Sequence, residues 1–147
     1  MGAAGVAEPT LDRPEKRNAL SGQMLGEIHD ALLEADDRSD VNVILLQGRG
    51  RDFCAGYDLM GSYGGAEGAA PDYDPALYRT RSGTLDDDIW HLKRQQELTL
   101  VILDLPKPVV AKFKGKFLAG RTDLAFSCDI VLSAEDAKIC IVVCFDI

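Results

Sequence analysis

Apolar and polar positions alternate between two periods along this chain, and the change of period marks the elements. Met24, Leu25, Ile28, Leu32 and Ala35 recur at helical spacing behind Ser21, a residue suited to an N-cap. The pattern predicts a helix from about Gly22 to Asp37. Val41 to Gln47 is an apolar run broken only by Asn42 and ended by Gln47, which suits a strand covered on both sides. A second helix is expected behind Thr84, with Asp86, Asp87 and Asp88 at its positive end. Leu85, Ile89, Leu92, Leu100 and Leu103 form its apolar stripe, and Pro106 and Pro108 stop it. Trp90 and its neighbours Ile89 and Leu92 read as core, and His91 as structural. Val109 to Phe113 and Ile130 to Ala134 read as short strands, with a turn into a short helix between them. Strands alternating with helices predict an α/β domain of ββα or βαβ units.

The joins between these elements are more informative than the elements. Residues before Leu11 give at most the stub of a strand, from about Val6. LDRPEKRNAL, from Leu11 to Leu20, is an irregular basic connector, because Pro14 restricts Arg13. RDFCAGYDL, from Arg51 to Leu59, follows the strand VNVILLQG with small residues that let the backbone approach a ligand. Gly61 to Pro75 is rich in Gly, Ala and Pro, and a mobile surface loop is expected over about Gly61 to Arg81.

Composition narrows the choice of partners. The 147 residues carry a net charge of −8, with 46% hydrophobic and 27% charged positions, which fits one globular domain. The negative balance argues against nucleic acid. No apolar run reaches the ~18–20 residues that span a bilayer, and no signal-peptide core opens the chain, so no membrane partner and a cytoplasmic location are expected. Cys54, Cys128, Cys140 and Cys144 lack metal-ligand spacing and read as small apolar residues, so no metal is expected.

LDRPEKRNAL, VNVILLQGRGRDFCAGYDL and KPVVAKFKGKFLAGRTDLAFSCDIVLSAEDAKI resemble, in order and spacing, the crotonase family of enoyl-CoA hydratases and isomerases. The resemblance covers most of Leu11 to Ile139. It implies a spiral of ββα units, incomplete at the C-terminus, that binds acyl-CoA thioesters of fatty-acid metabolism. It also implies assembly as trimers or pairs of trimers. Coenzyme A belongs to the substrate, and no separate cofactor is expected. The backbone N–H of Tyr57, and that of Gly120, would together form an oxyanion hole for the thioester carbonyl. Ala55, Gly56, Asp58 and Leu59 would surround the first donor, with Asp58 capping the following turn. Lys16 and Arg17 would meet the CoA phosphates.

The chain departs from the family pattern at the acids. Asp123 stands three residues after Gly120, where the hydratase pattern has glutamate, one methylene longer. Val143 stands where the second acid is expected, and Asp146 is out of register. Arg121 stands where the family commonly has glycine, beside Gly120, and would pair with Asp123 or crowd the carbonyl site. The family pattern runs on for about as many residues again, and ICIVVCF would be left apolar near the end of the chain. The expectation is a shortened, catalytically impaired hydratase. Its alternatives are a non-catalytic acyl-CoA-binding or regulatory subunit, an isomerase-type activity, and a degenerate fragment without function.

Overall fold

A computed structural model describes residues 4–58, 85–118 and 122–140. The expected strand stub is a pair of short strands, β1 (Val6–Ala7) and β2 (Thr10–Leu11), split at Pro9. A single 3₁₀ turn over Pro14–Lys16 leads to α1 (Gly22–Asp37). Ser21 caps α1 by accepting the Met24 N–H at 3.2 Å, and the five residues expected on its inner face are the five it buries. Strand β3 (Val43–Gly48) follows, then α2 (Leu85–Asp104), β4 (Val109–Phe113) and β5 (Lys116–Leu118). Short α3 (Thr122–Phe126), β6 (Ile130–Ser133) and β7 (Lys138–Cys140) complete the described elements.

The main sheet is parallel throughout, in the order β1-β3-β4-β6, with β2 continuing β1 along β3. Pro9 lacks an N–H, so it interrupts this edge; its carbonyl still accepts from Gln47 N–H at 3.1 Å. Ile44 pairs with Val109 and Leu46 with Ala111, so their side chains share one face. That face is fully buried and packs with Leu25, Leu32, Phe53 and Leu124. The opposite positions of β3, Val43, Leu45 and Gln47, are only half-buried, so the strand is less evenly covered than its apolar run suggests. Strands β5 and β7 form a separate parallel pair.

Lys107 fastens the sheet to α1. Its ammonium donates to the carbonyls of Ala35 (3.0 Å), Asp36 and Arg38 (2.6 Å), and its N–H to Asp36 Oδ1 at 3.3 Å. The positive charge thus meets the carbonyl end of the α1 dipole.

The stripe expected on α2 is not its buried face. Leu85 is 76% exposed and Leu103 63%, while Ile89, Trp90, Leu92 and Leu100 are exposed as well. Trp90, Ile89 and Leu92 are therefore not core. The helix turns Thr99 and Ile102 inward instead, with Leu98 and Val101 packed against the core. Thr99 tolerates this burial because its hydroxyl donates to the Gln95 carbonyl one turn back, at 2.8 Å. Strand β6 is exposed along its whole length, including Ile130, Val131 and Leu132.

Candidate functional site

Beyond β3 the chain folds back tightly over the strand end. A Cβ on Gly48 would strike the Phe53 carbonyl oxygen and lie 2.8 Å from Phe53 Cα, so glycine alone lets this return pass. The return is anchored by Phe53, whose N–H donates to the Lys114 carbonyl at 3.3 Å. Its ring meets Phe113 edge-on, with centroids 4.6 Å apart. Gly56 then takes φ +95°, a conformation unfavourable for any residue with a Cβ, and directs the chain into Tyr57.

The connector before α1 is sewn to this turn. Asn18 is fully buried at φ +55°, and its amide nitrogen donates to three carbonyls of the turn. These are Arg49 (2.9 Å), Asp52 (3.0 Å) and Phe53 (3.0 Å). Asn18 Oδ1 accepts the Arg13 N–H at 2.8 Å. Arg13 reaches the other end of the turn, donating to the Ala19 carbonyl at 2.9 Å and to Asp58 Oδ2 at 3.1 Å.

One backbone bridge, between Leu20 and Tyr57, orients the peptide group expected to act. Leu20 N–H donates to the Gly56 carbonyl at 2.8 Å, and Asp58 N–H donates to the Leu20 carbonyl at 2.9 Å. In a trans peptide the C=O and the following N–H point in opposite directions. No described peptide bond is cis. The Gly56 carbonyl points at Leu20, so the Tyr57 N–H points away from it, on the opposite side of the segment.

The other expected site residues fall as follows. Ala55 is half-buried and Gly56 buried beside Tyr57. Asp58 engages Arg13, a residue the sequence reading gave no role, so its carboxylate is committed backwards to the connector. Lys16 and Arg17 are exposed on the 3₁₀ turn and make no ion pair among the described residues. Leu59, Gly120, Arg121, Val143 and Asp146 lie outside the described residues, as does the loop from Gly61 to Arg81. Asp123 belongs to α3, in the element expected to carry it. The structure therefore joins Lys16, Arg17, Gly56, Tyr57 and Asp58 through one hydrogen-bonded network, with Ala55 next to Gly56 in the chain.

Cys54 and Cys128 are structural. Both are buried and form no disulfide, and Cys54 Sγ accepts the Gly56 N–H at 3.4 Å. Cys128 donates to the Leu124 carbonyl at 3.3 Å, and burial, reinforced by neighbouring Asp129, pushes its thiol up to about 12. Such a thiol carries almost no thiolate at neutral pH and is a poor nucleophile. Among the described residues no group of three His, Cys, Asp or Glu side chains is placed to hold a metal ion, and no described helix is long and apolar enough to cross a membrane. An open groove lies at the far end of the sheet, between β1 and the end of α1, lined by Val6, Glu8, Glu34, Arg38 and Asp40. It includes no residue of the connector or the turn.

Arg13 and Asn18 were missed because an arginine and an asparagine in an irregular connector read as solvated loop residues. The available signal was the pairing of a residue tolerant of positive φ with a glycine-rich return later in the chain.

The chain resembles known proteins in sequence and in fold. The sequence pattern of the enoyl-CoA hydratase/isomerase family matches residues 2–143. A probable enoyl-CoA hydratase of Mycobacterium leprae is 33% identical over 138 residues, which is 92% of this chain and 47% of that protein. The 1,2-epoxyphenylacetyl-CoA isomerase of Escherichia coli is 31% identical over 134 residues, 91% of this chain and 46% of that protein. A crystal structure of an enoyl-CoA hydratase from Mycobacterium smegmatis superposes with a TM-score of 0.76 at 35% identity. It covers 95% of this chain and 47% of the crystallised one. The chain thus spans about half the length of the relatives it matches, and over that span it has their crotonase fold. It belongs to the enoyl-CoA hydratase/isomerase family.

Proposed function

We propose that this chain binds an acyl-CoA thioester, with the Tyr57 N–H donating to the thioester carbonyl oxygen, and that its reaction class is hydration of a 2-enoyl-CoA. When water adds to the double bond, electron density moves onto that oxygen, and a fixed N–H stabilises the charge as it develops. One such donor is worth ~2.7–4 kcal/mol of barrier. Gly120 N–H would supply the second. Lys16 and Arg17, exposed beside the connector's buried anchor Asn18, would meet the CoA phosphates, and Ala55, Tyr57 and Leu59 would flank the acyl group. The observation that carries this reading is the Leu20 N–H to Gly56 carbonyl bond, which aims the Tyr57 N–H outward from the connector.

Hydration also needs one group to take a proton from water and one to deliver a proton to carbon. Asp123 would hold the water, but Val143 stands where the family pattern places the second acid and has no acidic proton to give. Turnover should therefore lie far below that of a hydratase with two carboxylates, since positioned proton transfer contributes about 10²–10⁴-fold. Crotonyl-CoA hydration, followed by loss of the enoyl absorbance, tests this, and turnover at an ordinary hydratase's rate would refute the impairment. Calorimetry with a non-hydrolysable acyl-CoA tests the binding. An acyl-CoA that binds no more tightly than CoA alone would refute the carbonyl site.

Val143 favours a second reading, in which the chain binds acyl-CoA without turning it over. Tight binding with no detectable hydration would select it, and conversion of a 3-enoyl-CoA would select an isomerase instead. The mass of the native species, with and without the CoA ligand, reads whether trimers form.

A further inference from the structure

We propose that the Arg13–Asp58 ion pair is a positioning pair for the Tyr57 amide: it fixes the direction of that N–H without touching the ligand. The proposal rests on the reading of Tyr57 as a carbonyl donor.

The Leu20–Tyr57 bridge stands alone, outside any named strand. A ladder resists twisting because neighbouring pairs hold each peptide plane, and a solitary bridge has no such neighbours. Leu20's two hydrogen bonds and the Gly56 N–H to Cys54 Sγ bond hold the segment from its backbone, and Arg13 adds a side-chain restraint across the bridge. Its Nη1 donates at once to the Ala19 carbonyl and to Asp58 Oδ2, so it spans the residue before Leu20 and the residue after Tyr57. Arg13 is itself held: its N–H donates to Asn18 Oδ1, and its carbonyl accepts from Lys16 N–H at 3.0 Å and Asn18 N–H at 2.8 Å. The guanidinium is thus part of the same rigid turn that presents Lys16 and Arg17. Arginine suits the role because its planar fork can serve two acceptors in fixed directions.

The pair is well placed for positioning and poorly placed for stability. Its side chains are 29% and 17% exposed, so water can solvate either partner when the other is removed. Breaking it should leave the fold intact while letting the Tyr57 N–H wander, and small misalignments of a donor are costly to catalysis.

The test uses the whole chain and a chromophoric thioester, 4-dimethylaminocinnamoyl-CoA, whose absorption moves to the red when its carbonyl oxygen accepts a hydrogen bond. With Arg13→Met and Asp58→Ala, most of the red shift seen with the unmodified protein should disappear. Affinity for CoA itself should stay within about threefold. Asp58→Asn, which keeps an acceptor for Arg13, should retain most of the shift. The double variant should lose no more than the more affected single one, because both remove the same restraint. Thermal melting of each variant separates lost positioning from lost folding. A full red shift in Asp58→Ala, or a shift that merely follows the folded fraction, overturns the proposal. Absence of any shift in the unmodified protein, with CoA still bound, refutes the role of Tyr57 first and this proposal with it.

Discussion

Replacing Asn18 by alanine removes the centre of the join between connector and turn, and its cost can be worked from the structure. The amide nitrogen has two hydrogens shared among three carbonyls, and Oδ1 accepts one N–H. Asp52 and Phe53 accept their bonds in the buried interior, whereas the Arg49 carbonyl and the Arg13 N–H are only partly buried. Water can rescue the latter two and not the former. Each buried carbonyl that loses its Asn18 bond costs ~1–3 kcal/mol, so these two dominate. Alanine must also hold φ +55°, which adds about 1 kcal/mol that asparagine largely avoids. The expected loss is about 3–7 kcal/mol, a large share of the ~5–15 kcal/mol typical of a domain. Asn18→Gly should recover about 1 kcal/mol of it by relieving the backbone alone. Urea unfolding followed by far-ultraviolet circular dichroism reads both values. A loss below ~1 kcal/mol for alanine at unchanged m-value, or a glycine variant no better than alanine, would refute the reasoning.

Three further outcomes are expected. Lys107→Met should lower stability by about 1–2 kcal/mol, because three carbonyls at the end of α1 lose a charged donor that is only half-buried, whereas Lys112→Met on an exposed position of β4 should stay within ~0.5 kcal/mol; thermal melting compares them. Gly48→Ala should cost ~1–3 kcal/mol by driving Cβ into the Phe53 backbone, while Gly26→Ala, with open space beside it in α1, should gain ~0.5–1 kcal/mol, both read from denaturant midpoints. Cys128 should resist alkylation in the folded protein at pH 8. Its folded-state value is raised from 9.0 to about 12, so its contribution to stability is complete below pH 9 and declines from there towards pH 12 as the unfolded thiol ionises; Cys128→Ala should flatten that part of the stability–pH curve.

Much of the fold was legible because local and tertiary signals agreed. Ser21 and the five apolar residues of α1 satisfy capping and burial together, and Val109 to Phe113 is both β-prone and central. In α2 the two signals part. Its best apolar stripe lies on an exposed side, and the buried side includes a threonine whose hydroxyl is satisfied within the helix. Periodicity counts apolar residues and cannot see that bond. At the candidate site, the glycines and the Tyr57 turn were readable from the close approach they permit. The partners that aim the turn were not, since Asn18 and Asp52 are far apart in sequence and meet only through tertiary structure.

The all-parallel sheet also dictates an order of events while the chain is being made. Ile44 pairs with Ala7 on one side but with Val109 on the other, so β3 leaves the ribosome with one flank unmatched and must wait until all the residues between β3 and β4 are synthesised. During that interval α1 can form by itself, but nothing yet shields the aliphatic face of Ile44 and Leu46 from the β4 side. Strand pairing between neighbours so remote in sequence is slow and leaves apolar surface open to association in the interval.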